Sequence, residues 1–169
     1  METTAKLYSL NFREAKTYLF AALFIAGNIL LPQLCHLVPG GGLTWLPIYF
    51  FTLIASYKYG IKAGLITALL SPLVNSLLFG MPPLSVLPII LIKSSLLALG
   101  GAYAAKKTGK MSILAILAVV LFYQILGTAF EWMIVRDFSI AVQDFRIGIP
   151  GMLVQVFGGY LMLKAIAKL

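Results

Sequence analysis

Two charged residues stand where an apolar chain should carry none. Lys93 lies within the run Leu84–Ala105, and Glu131 within the run Met111–Val135. An unpaired charge in hydrocarbon costs several kcal/mol, so each must face a partner, a ligand or a water-filled cavity. Paired with each other, they would fix helix packing. Set in a pocket, the ammonium would suit a carboxylate or phosphate, although a nearby Glu131 would already neutralise it. Asn75, Trp45, Tyr49, Trp132, Gln124 and Gln155 stand in neighbouring apolar runs, and His36 and Met81 in the segments between them. An aromatic-walled cavity with a few fixed polar groups is what small-molecule binding requires. Each residue also has a plainer role. Trp45 and Trp132 could form an interfacial belt, His36 a surface position, and Asn75 a donor to backbone freed by Pro72.

The elements that position these groups must be membrane helices. Of 169 residues, 61% are hydrophobic and 11% charged, whereas a soluble domain carries about 25% charged residues. The apolar runs are too long, and too free of alternation, to be barrel strands. They predict one all-α domain, 1–169, with six transmembrane helices near 15–31, 43–57, 61–79, 84–105, 111–135 and 148–166. Pro32 ends the first, Gly80-Met81-Pro82-Pro83 separates the third from the fourth, and Arg136–Arg146 form a charged link.

The net charge of +8 is distributed by side rather than gathered in a patch. Lys6, Arg13, Lys16, Lys58, Lys62, Lys106, Lys107, Lys110, Lys164 and Lys168 fall on one side of the predicted bundle, and only Arg136 and Arg146 on the other. The positive-inside rule makes the first side cytoplasmic and places both termini there. Lys93 then lies about 14 Å, and Glu131 about 6 Å, below the outer ends of their helices. The polar layer belongs to the outer half, and the inner half is expected to bury almost no polar group. That pattern predicts a dead-end pocket rather than a pore.

Ala22 and Ala26 share one face of the first helix, beside Gly27, a spacing that permits close helix approach in lipid. The external segment reads His36-Leu37-Val38-Pro39-Gly40-Gly41-Gly42 and leads through Leu46-Pro47. Gly64 and Pro72 then precede Leu78-Phe79-Gly80-Met81-Pro82-Pro83. With these segments and six helices, nearly the whole chain resembles a substrate-binding S-component of the energy-coupling factor (ECF) vitamin transporters. The resemblance implies a high-affinity receptor for a vitamin or related micronutrient, multi-pass in a bacterial or archaeal plasma membrane. It implies docking of Ala22 and Ala26 on a transmembrane coupling subunit, and two cytoplasmic ATPases as further partners. Substrate contacts would fall among His36, Trp45, Tyr49, Asn75, Met81, Lys93, Gln124, Glu131, Trp132 and Gln155.

The rival is a structural membrane scaffold of similar topology, such as a cell-shape protein, which would need no pocket. Catalysis is not expected. One His and one Cys give neither a nucleophile–base pair nor a metal-ligand set, and there is no phosphate loop or cofactor motif. The basic residues lack interleaved aromatics, so nucleic acid is not an expected partner.

Overall fold

The computed structural model describes residues 7–167, all of them helix, turn or loop. Lys6 and Lys168, counted above among the inner cations, lie outside the described residues. Helix α1 spans Ala15–Cys35 and runs a turn beyond Pro32, where the sequence predicts a stop. A proline deprives the carbonyl four residues earlier of its donor, here that of Asn28. The side chain of Asn75 replaces the missing bond, its Nδ2 donating to the Asn28 carbonyl at 2.9 Å. The helix therefore survives its proline.

The second apolar run is broken where one helix was expected. It forms α2 (Gly41–Trp45), a 3₁₀ turn (Pro47–Tyr49) and α3 (Phe50–Tyr59). Pro47 disfavours helical geometry in the residue before it, and Leu46 takes the left-handed conformation, φ 46°. The first amides of α3 would be orphaned by this break. One is met from α1, Phe51 N–H donating to Asn28 Oδ1 at 3.1 Å.

Three long helices follow: α4 (Ile61–Phe79), α5 (Leu87–Thr108) and α6 (Ile113–Val135). Within the charged link lie two short helices, α7 (Phe138–Ala141) and α8 (Gln143–Arg146). The last apolar run is α9 (Ile149–Leu153), a π turn (Val154–Gly158) and α10 (Gly159–Ala165).

The expectation of six crossing helices is corrected. Among the described residues four helices are long and apolar enough to span a bilayer: α1, α4, α5 and α6. Helix α3 has 10 residues, about 15 Å of rise against a hydrocarbon core of about 30 Å. The final run, Ile149–Ala165, also falls short of the crossing length. The resemblance to an ECF S-component rested on a six-helix topology with both ends inside. It falls with that topology, as does the vitamin-receptor function drawn from it.

The short helix α3 is the centre of the molecule. Every residue from Thr52 to Tyr59 is buried, and α1, α4, α5 and α10 pack around it. Enclosure by protein is the condition under which short or broken helices are tolerated at membrane depth. At its end, the Lys58 ammonium donates to the Ile166 carbonyl just past α10, a cation placed where the helix dipole favours one. Tyr8 N–H donates to the Lys58 carbonyl at 2.7 Å, so residues 8–10 cross this basic end. The expected lack of buried polar groups in this half is corrected too. Ser56, Lys58 and Thr67 are all buried there, with Ser56 and Thr67 donating to carbonyls of their own helices.

Candidate functional site: a buried ion cluster

At the opposite end, the Lys93 ammonium lies between two carboxylates. Its Nζ donates to Glu131 Oε2 at 2.6 Å and to Asp144 Oδ2 at 2.7 Å. Lys93 is 2% exposed, Glu131 8% and Asp144 7%. Three elements meet here: α5 supplies the lysine, α6 the glutamate and α8 the aspartate. Gly127 makes the approach possible. It lies one turn before Glu131, and a Cβ there would stand 2.5 Å from Lys93 Cγ. The lysine stem therefore crosses bare α6 backbone before its head reaches the carboxylates.

Asp144 is held by the packing of the following turn. A Cβ on Gly151 would come within 2.4 Å of the Trp45 carbonyl carbon, so α9 sits directly on the α2 backbone. The segment that carries Asp144 is thereby clamped to the segment that ends in strained Leu46. Leu43, Leu46, Tyr49, Ile89 and the three charged residues line a cavity of about 100 Å³. That is room for about three water molecules at about 30 Å³ each, well below the roughly 300 Å³ at which ordinary ligand pockets begin.

A second set of polar groups lies deeper. The Tyr49 ring packs on Tyr123, centroids 5.2 Å apart. Tyr123 O–H donates to Gln155 Oε1 at 2.8 Å and accepts from Gln124 Nε2 at 3.1 Å. Gln155 enters from the π turn, a form that recurs at functional sites. Gln124 Oε1, Gln155 Nε2, Ser94 Oγ and Thr128 Oγ1 have no hydrogen-bond partner among the described residues. Leaving such a group unmet costs about 1–3 kcal/mol, so the region has spare donors and acceptors.

The sequence-derived candidates separate accordingly. Tyr49, Lys93 and Glu131 line the cavity, and Gln124 and Gln155 form the deeper network. Asn75 serves the backbone, at Pro32 of α1 rather than at Pro72 of its own helix. Trp45, Trp132 and Met81 are 42%, 51% and 50% exposed, and His36 is exposed as well. Ala22 and Ala26 face outward from α1. Asp144 and Tyr123 were not anticipated. A signal for Asp144 was available: Ala141, Asp144, Gly148, Gly151 and Gln155 recur at helical spacing, and all are buried.

Two carboxylates already hold the Lys93 ammonium, which favours its pairing role over an anionic ligand. With all three ionised, one cation and two anions leave the cluster at −1. Ser94 adjoins Lys93 in sequence, but neighbouring helical residues do not face each other, so the pair is no nucleophile–base couple. Among the described residues no three His, Cys, Asp or Glu side chains converge as a metal site.

Four long apolar helices with a buried ion cluster define a multi-pass membrane protein. No family model, no curated protein and no solved structure matches the chain.

Proposed function

We propose that this chain is a membrane-embedded binding protein for a small monovalent cation, such as ammonium, a protonated short amine or an alkali ion. The observation that carries the reading is the pair of buried carboxylates on one buried ammonium, beside a small cavity. A net −1 in such surroundings is costly, and one added positive charge neutralises it. Cavity volume sets the size limit at a few heavy atoms. The Tyr49 ring on its wall supplies a face to which cations are attracted. The activity is binding, without chemistry at the ligand.

Access is from the end bearing residues 36–46 and 136–148, since those segments roof the cavity. We place the opposite end, with the Lys106–Lys110 turn, on the cytoplasmic side of a plasma membrane. The support is the excess of lysine at that end.

The test is thermal unfolding of the purified protein in chloride salts of sodium, potassium, ammonium, methylammonium and tetramethylammonium. N-methylglucamine holds the ionic strength constant. Saturable stabilisation by one or more of the small cations, none by tetramethylammonium, and loss of the effect in Asp144→Asn are expected. Equal responses to every salt, or an undiminished response in Asp144→Asn, would overturn the reading.

A further inference from the structure

On the outside of the bundle, away from the ion cluster, α5 and α6 border an open trough at the basic end. Small side chains at Gly100, Ala104 and Ala118 leave an almost wholly apolar trough of about 600 Å³ between them. Along α5 it runs from Leu99 to Thr108, about 14 Å of helix rise. The hydrocarbon core is about 30 Å thick, so the trough has the depth of one leaflet. A partner helix would call for a seam through both leaflets. One acyl chain needs only this.

The rim supplies the second half of the argument. Lys107 lines the trough mouth and Lys106 precedes it, both exposed. Among the described residues neither is in an ion pair. The Lys107 ammonium stands 5.8 Å from the centre of the Tyr103 ring, and that ring is 65% exposed beside the trough. The whole end is basic. Arg13, Lys16, Lys58, Lys62, Lys106, Lys107, Lys110 and Lys164 lie there, with Glu14 the one carboxylate among the described residues. Basic pockets between helices at the cytoplasmic face suit anionic head groups.

We propose that the α5–α6 trough is a specific site for an anionic phospholipid of the cytoplasmic leaflet. One acyl chain lies against Gly100, Ala104 and Ala118, and the phosphate meets Lys107, with Lys106 adding to the positive field of that end. The tyrosine covers the glycerol region, with its ring in hydrocarbon and its hydroxyl among the head groups.

The test measures lipid binding to the full-length protein in detergent, by native mass spectrometry and by thermal shift. The probes are phosphatidylglycerol and phosphatidylcholine with the same chains, together with glycerol phosphate. Phosphatidylglycerol should bind saturably and more tightly than phosphatidylcholine. Lys107→Gln should erode that preference by about fivefold, and Lys106→Gln by less. Ala118→Phe, which fills the trough and leaves the charges, should weaken both lipids. Equal affinity for the two lipids would overturn the proposal, as would a preference that survives loss of both lysines. A full response to glycerol phosphate would replace the lipid site with a surface anion site. The lysine variants are solvent-facing, so a folded protein is expected in each case.

Discussion

At the scale of single residues, the ion cluster makes an asymmetric prediction. Lys93→Met leaves two carboxylates facing each other in a buried site and should cost about 3–5 kcal/mol. Asp144→Asn leaves a neutral Lys93–Glu131 pair and should cost far less. Unfolding in detergent under salt-free conditions compares the two, and equal losses would mean that the charges are not coupled. Gly127→Ala should cost about 1–3 kcal/mol through overpacking on the Lys93 stem, read from the same unfolding curves. Lys93 and Glu131 were legible in the sequence because a charge in an apolar run is conspicuous. Asp144 was not, because Arg136, Asp137 and Arg146 around it look like an ordinary solvated link. Its inward stripe of small neighbours was the quieter signal.

Among the elements, two prolines organise one corner. Pro32 frees the Asn28 carbonyl for Asn75, while the helix break before Pro47 leaves the Phe51 amide in the first turn of α3 for the Asn28 side chain. Asn28 Nδ2 also donates to Thr52 Oγ1 at 3.0 Å and Ser71 Oγ at 3.2 Å. The network therefore ties α1, α3 and α4. Asn75→Leu strands the Asn28 carbonyl and should destabilise by about 1–3 kcal/mol. Added to Pro32→Ala, which restores the backbone donor, it should cost measurably less. A double-mutant cycle in thermal unfolding reads that coupling, and strict additivity would show that the carbonyl has another donor. Sequence reasoning placed Asn75 beside a proline-broken backbone but chose its own helix, since spacing along the chain cannot show which neighbouring helix lies within reach. The break at Leu46 was missed for a similar reason. The residues from Leu43 to Tyr57 carry no charge, and the left-handed Leu46 before Pro47 separates α2 from the 3₁₀ turn in what looks like one continuous helix.

For the whole molecule, composition makes the membrane environment plain, while the number of crossings was misread. Hydropathy cannot distinguish a helix that faces lipid from one that other helices enclose. Phe50–Tyr59 continues an apolar run, yet it is wrapped by α1, α4, α5 and α10. Orientation can be measured directly. In a Cys35→Ala background, Thr108→Cys should react with an impermeant maleimide only from the cytoplasmic face, and Ser139→Cys only from the other. Reversed labelling would invert the assignment and place the lipid site in the opposite leaflet.

The π turn at Val154–Gly158 also has a meaning for how the chain can vary in length. A π turn is an α-helix holding one residue more than its winding needs. A chain one residue shorter within 154–158 would close into a continuous α-helix. It would keep α9 seated on Trp45 and α10 beside Leu53. Such a deletion elsewhere in α9 or α10 would turn the following residues by about 100° and unseat one of those contacts. What the shorter chain would give up is the inward position of Gln155. The surplus residue is thus the one removable unit of this segment, and its retention is the cost of presenting an amide to Tyr123.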